Sequence, residues 1–386
     1  MLFLRMKSQG VFMLKDSHIY MDNNATVVTS QKVLAAMQEL HGLPLNASSI
    51  HASGRRARGL LEAVRERIAA LTNCGNARIV FTASGTESNN MALRGLAGYK
   101  VLVSAVEHAS IRKIGVHEGE IAVNGDGVVD IAALCQQLRN YKDGKFLVSV
   151  MLANNETGVI QPIKEIAEIV HAHGGLIHTD AVQAFGKINV DMAALGADML
   201  TISAHKFGGP QGAAALIFKK GAKLESIIMG GGQEQGYRAG TENVLAIHGF
   251  GAAALEATES LENSDNIARI RDKIETEIKN IAPDAVIFGQ SAIRLPNTSM
   301  IAMPYVPSGT QVMHFDMESI AVSAGSACSS GKVEVSHVLL AMGVPENLAK
   351  CAIRVSLGIN NTIDDAEKFV IAWKKLYERA GIKRAA

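Results

Sequence analysis

The sequence predicts an α/β fold in which a large domain, built on a mainly parallel sheet with helices on both faces, precedes a smaller α+β C-terminal domain. Three observations predict it. Strand-like apolar runs alternate with helical stretches through the first two thirds of the chain, the pattern of a parallel sheet covered on both sides. The composition shifts near Leu261, where a long apolar helix hands over to a charged one. A chain of 386 residues is also longer than single cores usually support.

Taken in order, an amphipathic helix is expected over 59–71, and strands over 78–82, 100–106, 146–152, 175–179, 198–203 and 213–218, with a helix over 163–172. The apolar helix covers 242–261 and the charged one 266–281. Beyond them come short strands at 285–288, 299–303 and 320–323 with helices between. The last helix begins at Thr362, with Asp365 three residues on as a capping signal, and runs towards Glu378. The expected division is 19–261 for the large domain, and 1–18 with 262–386 for the small one.

Lysine and arginine total 38 against 37 acidic residues, so no broad basic field invites nucleic acid. Apolar runs are interrupted well before the roughly 20 residues of a membrane span, and a soluble chain is expected. The start, Met1 to Lys7, has a very short apolar run and no small-residue cleavage site, unlike a signal peptide. The first dozen residues read as an extension or an upstream start choice. Cys74, Cys135, Cys328 and Cys351 lie far apart with no Cys-x-x-Cys pair, which argues against an intrinsic zinc site or a disulfide scaffold and for a reducing cytoplasm.

Two strand-like runs end in chemistry. Thr201-Ile202-Ser203-Ala204-His205-Lys206-Phe207-Gly208-Gly209-Pro210 puts a lysine past the end of an apolar run, immediately before glycines. Its amine can meet a ligand there. Upstream, Leu176-Ile177-His178-Thr179-Asp180 ends in a carboxylate. A lysine for covalent attachment and an aspartate for the pyridine nitrogen are what pyridoxal phosphate chemistry requires. Ser84-Gly85-Thr86-Glu87 opens a helix after a strand, where free amides and the positive helix end suit a phosphate or a simple cap. Cys328 lies among Ala324-Gly325-Ser326-Ala327 and Ser329-Ser330-Gly331-Lys332, too small and polar for a core, so a mobile loop is expected. The other three cysteines read as small buried hydrophobes.

These segments, with Asp22-Asn23-Asn24-Ala25-Thr26, Phe81 through Asn90, Asn154-Asn155-Glu156-Thr157-Gly158, Gly230 through Glu234, Arg238 through Asn243 and Ile353 through Gly358, closely resemble the cysteine desulfurases of the NifS and IscS type. The resemblance runs from about 19 to about 357. It implies the pyridoxal-phosphate-dependent transferase fold type I, with a seven-stranded large-domain sheet, and a homodimer acting on L-cysteine. Lys206 is then the cofactor anchor and the base for the α proton, Asp180 the partner of the ring nitrogen, Gln183 that of the phenolic oxygen, and His108 the residue stacked on the ring. Gly85, Thr86, Ser203 and His205 become phosphate ligands, joined by Thr241 from the second subunit. Arg354 and Asn155 would hold the substrate carboxylate, Asn155 also touching the cofactor oxygen, with Asn154 as the second candidate.

On the same resemblance Cys328 takes the sulfur as a persulfide, releasing L-alanine, and passes it to a sulfur acceptor or iron–sulfur scaffold protein, where it could be a transient cluster ligand. The chain departs from the family in Val27-Val28 after Ala25-Thr26, in Ala47 after Asn46, and in the order of the small residues at Ala83-Ser84-Gly85. Its end, 371–386, does not resemble the IscS tail, which inclines the reading towards a NifS-like subtype. The alternatives are a selenocysteine lyase or aminotransferase of the same fold, or a non-catalytic sulfur carrier.

Overall fold

The structure, a computed structural model, describes residues 18–141, 145–325 and 334–385. Its strands are β1 (Ile19–Tyr20), β2 (Arg78–Thr82), β3 (Lys100–Ser104), β4 (His117–Ile121), β5 (Phe146–Ser149), β6 (Leu176–Asp180), β7 (Met199–Ser203), β8 (Ala214–Phe218), β9 (Val286–Phe288), β10 (Thr298–Ala302), β11 (Ile320–Ala321) and β12 (Ala352–Ser356). Seven of them form the main sheet, in the order β2-β8-β7-β6-β5-β3-β4. The pairs from β7 to β4 are parallel, and β8 runs antiparallel to both β7 and β2. β2 therefore points the same way as β7, and the carboxyl ends of six strands share one edge. Ligands in such sheets bind outside that edge.

The inner strands are buried along their length because helices cover both faces. β4 is the strand that hydrophobic patterning did not find: His-Glu-Gly-Glu-Ile alternates half-buried and exposed residues at the sheet edge. The helix expected from 59 begins at Ala52, capped by His51, whose side chain accepts from Gly54 N. It packs against Val244–Glu259, where Gly251 lets the helices close: a Cβ there would lie 2.7 Å from Val64 Cγ2.

A second core gathers Ile270, Ile274, Ile278, Phe315, Phe369 and Trp373 around the antiparallel sheet β9-β10-β12. Phe315 stacks on Phe369 at 4.7 Å between centroids. Residues 19–21 were expected in the large domain. Their contacts are with this second core: β1 pairs in parallel with β11, and Met21 is buried in it. The backbone polar groups of so short a strand needed an edge to join, and β11 supplies it. The final helix starts at Ile363 with the expected reciprocal cap, Asp365 accepting from Thr362 N and Thr362 Oγ1 from Asp365 N.

Candidate active site

The strand ends bring the predicted residues to one edge of the sheet. Asp180 closes β6, and Lys206 ends a short 3-10 turn directly after β7. Asp180 is buried, with Oδ1 accepting from Val182 N at 2.9 Å and Oδ2 from Asn89 Nδ2 at 2.7 Å. Burial pushes its carboxyl up, while those two donors and the charges of His108 and Lys206 pull it back. Lys206 Nζ donates to the carbonyls of Asn24 (2.7 Å) and Ala25 (2.9 Å). Burial, with help from Arg354, lowers its amine to about 8. A useful fraction is then neutral near pH 7.

Asn24 is the hub of the site, a role the sequence reading did not assign. Its carbonyl accepts from Lys206 Nζ and from Gln183 Nε2 (2.9 Å). Its Oδ1 accepts from Lys187 Nζ (2.7 Å) and Asn297 Nδ2 (3.1 Å), and its Nδ2 donates to Thr298 Oγ1 (2.9 Å) and to the carbonyl of Asn155 (3.2 Å). Lys187 also donates to Gln183 Oε1 at 2.6 Å. Lys187 was likewise missed. Its only signal was its place four residues, one helical turn, beyond Gln183.

His108 follows β3 and caps a short helix, its Nδ1 accepting from Ser110 N at 3.1 Å. Solvent reaches it, yet enough protein surrounds the ring to hold its pKa below the ordinary value, an effect of burial opposed by Asp180. Asn89 ties the two together, since its Nδ2 donates to Ser110 Oγ (2.9 Å) as well as to Asp180. Beside His108, Glu107 is fully buried and its carboxyl is pushed up to about 8 by burial, so it carries a proton at neutral pH.

At the phosphate end, the helix Gly85–Arg94 is capped by Ser84, whose hydroxyl accepts from Glu87 N. The amides of Gly85 and Thr86, in its first turn, have no intrahelical acceptor. A Cβ on Gly85 would lie 3.0 Å from Val182 Cγ2 and 3.6 Å from Ser203 Cβ, so this helix start abuts the end of β7. Ser203 is buried there. His205 is half-buried, its ring 3.4 Å from Thr26 Oγ1, and burial lowers its imidazole to about 4. Thr241 is not brought in: it lies exposed, with no described contact to Lys206. Its segment is pinned through Glu234, which accepts twice from Arg65 at 3.1 Å and once from Phe81 N, and through the Arg238–Glu87 ion pair.

Arg354, in the middle of β12, reaches the site from the small domain. It donates from Nη1 to the carbonyl of Asn155 (3.0 Å) and from Nη2 to Asp22 Oδ1 (2.7 Å). Its Nε is buried without a hydrogen-bond partner among the described residues. Asp22 belonged to a quoted motif but was given no role. Asn154 is structural, its side chain bonding Val106 O and the amides of Glu156 and Thr157, which leaves Asn155 as the residue beside Arg354. Cys328 lies outside the described residues. Cys351 is buried as expected, whereas Cys74 and Cys135 are only half-buried, Cys74 packed against the main core. Among the described residues no His, Cys, Asp and Glu cluster could hold a metal, and no helix is long and apolar enough to cross a membrane.

A buried aspartate at one strand end and a lysine after the next are the pair that pyridoxal phosphate chemistry requires. Residues 19–369 match the family described as Aminotransferase class-V, and the chain belongs to that family. The cysteine desulfurase IscS of Dictyoglomus turgidum is 39% identical over 94% of this chain and 95% of its own length. The X-ray structure of a NifS-like protein from Rickettsia africae superposes with a TM-score of 0.88 at 40% identity, covering 94% of this chain and 99% of that one. The structure of SspA in complex with cysteine superposes at 0.74 with 28% identity, over 88% of this chain and 98% of the other.

Proposed function

We propose that the chain is a cysteine desulfurase, converting L-cysteine to L-alanine and passing the sulfur, held as a persulfide on Cys328, to an acceptor protein for iron–sulfur cluster assembly. The observation that carries this reading is Glu156. Its Oε2 accepts from Ser336 Oγ at 2.5 Å and would lie 3.2 Å from a Cβ on Gly325. Gly325 and Ser336 flank the segment that contains Cys328, and Glu156 follows Asn155, whose carbonyl holds Arg354. Both approaches to the thiol-bearing segment thus meet at the residue next to Asn155, whose carbonyl Arg354 contacts.

Pyridoxal phosphate fits the donor set. The Asp180 carboxylate is buried with two N–H donors and no cation in hydrogen-bond contact among the described residues, so a protonated ring nitrogen would complete it. The open amides of Gly85 and Thr86 suit the phosphate, with Ser203 and His205 alongside. Thr241 of the partner subunit would complete that seat in a homodimer, consistent with its exposure here. When bound, the cofactor supplies a carbonyl carbon for amines and a ring that draws electrons from the substrate's α carbon.

The chain's own residues do the rest. Lys206, with its lowered pKa, takes the α proton at Nζ and returns it. Asp180 holds the ring-nitrogen proton in place. Arg354 would offer Nε, unpartnered among the described residues, and one edge of Nη2 to the substrate carboxylate, a two-point contact. Cys328 supplies a thiolate whose sulfur bonds to the substrate sulfur as the carbon–sulfur bond breaks; carbon gains a hydrogen, and the thiol becomes a persulfide. Cysteine plus thiol gives alanine plus persulfide, with no external oxidant.

Incubation with L-cysteine and a thiol reductant should yield sulfide and alanine in equal amounts with no keto acid present. A requirement for keto acid would make the chain an aminotransferase. Arg354→Lys should raise the Michaelis constant for L-cysteine by about tenfold or more, the worth of one charged hydrogen bond, and leave cofactor affinity nearly unchanged. Titration of cofactor and substrate separately checks this; an unaltered Michaelis constant removes Arg354 from the carboxylate.

A further inference from the structure

We propose that Lys187 is a positioning residue of this site: its amine fixes the carboxamides of Gln183 and Asn24, turning the Gln183 nitrogen to the Asn24 backbone carbonyl that Lys206 also reaches. The inference rests on the reading of Lys206 as the cofactor anchor.

A carboxamide has two faces of similar shape, one donating and one accepting, and neighbours decide which way it lies. Lys187 Nζ places hydrogens on Gln183 Oε1 at 2.6 Å and on Asn24 Oδ1 at 2.7 Å. Both oxygens must then face it. The Gln183 nitrogen is turned the other way, where one hydrogen meets the Asn24 carbonyl at 2.9 Å and the second remains for a ligand. That carbonyl is the one Lys206 Nζ reaches at 2.7 Å. Asn24, with Oδ1 held by Lys187, presents Nδ2 to Thr298 and to the Asn155 carbonyl, which Arg354 also contacts. One amine therefore sets an arrangement that spans the cofactor anchor and the substrate seat.

Lys187 makes no ion pair with a carboxylate among the described residues, and burial lowers its pKa well below the ordinary lysine value. A lysine held only for stability would ordinarily keep its head in water or beside an acid. Here it is half-buried against the wall of a cavity of about 660 Å³ that Lys206 also lines, with its nitrogen turned to two amide oxygens. In either protonation state it has the two hydrogens that those oxygens accept.

The test is a double-mutant cycle on the holoenzyme, reading the affinity for pyridoxal phosphate, the pH midpoint of its bound absorption band, and kcat against KM. Lys187→Met should weaken cofactor affinity by about tenfold, the loss of one strong hydrogen bond, and move the pH midpoint. Lys187→Arg should restore most of both. Because Lys187 acts in part through Gln183, the double variant Lys187→Met with Gln183→Ala should lose clearly less than the sum of the two single losses, the remainder passing through Asn24. Where Lys187→Met does not fold, Lys187→Gln replaces it in the same cycle. Additive losses, or a variant with lowered melting temperature but an unchanged band and affinity, would overturn the proposal. If borohydride trapping shows that Lys206 is not the anchor, the underlying reading fails; if Lys206 is the anchor and the cycle is additive, the assignment of Lys187 alone fails.

Discussion

Replacing Lys206 with alanine should abolish the absorption band of covalently held pyridoxal phosphate and lower alanine formation from L-cysteine by about 10³-fold or more. Two functions go at once, the amine that retains the cofactor and the base that moves the α proton, and a positioned base alone is worth roughly 10² to 10⁴ in rate. The structure adds a competitor that must be checked. Lys187 bonds the same asparagine as Lys206 and is half-buried beside it, so proximity alone does not single out Lys206. What does is place in the chain: Lys206 follows the end of β7, next to the strand that ends in Asp180. Borohydride reduction followed by peptide mapping of the wild-type protein should put the cofactor on Lys206. Finding it on Lys187, or a normal band in Lys206→Ala, would reverse the assignment.

How much of this was legible in the sequence depends on the range of the interaction. Six strands of the main sheet were visible because their inner faces force apolar runs, and the helix cap at Thr362 and Asp365 was visible because both partners lie within one turn. β4 escaped because an edge strand is free to alternate glutamate with half-buried residues, and the first turns of the helix from Ala52 escaped because they carry charge rather than an apolar stripe. The positions of Asp180 and Lys206 at strand ends could be read locally. Their surroundings could not. Asn24 meets Asn155, Lys187, Thr298 and Lys206 across 131 to 274 residues of chain, and no spacing rule connects such partners. Asp22 and Asn89 lay inside motifs that drew attention for other residues, and only the folded chain shows one on Arg354 and the other on Asp180.

Cys328→Ser should separate binding from sulfur transfer. The variant keeps Lys206, Asp180, Arg354 and the helix start at Gly85, so it should bind pyridoxal phosphate with wild-type affinity and still show the spectral change on adding L-cysteine. It should nevertheless form alanine about 10³-fold more slowly. A thiolate is the reactive form of cysteine and attacks sulfur readily, whereas a serine hydroxyl at neutral pH is almost wholly protonated. None of the other three lies in the segment between Gly325 and Ser336: Cys351 is buried in a core cluster, Cys74 has its thiol pushed up by burial, and Cys135 sits half-buried on the helix Ile131–Leu138. Serine at any of these three should leave turnover within about twofold, since each is a packing position. Mass spectrometry of wild-type protein after cysteine treatment, without reductant, should find one extra sulfur on the peptide that contains Cys328. Sulfur on another cysteine, or undiminished sulfide and alanine release by Cys328→Ser, would mean that the carbon–sulfur bond breaks without a protein thiol, and the persulfide route would have to be abandoned for direct elimination.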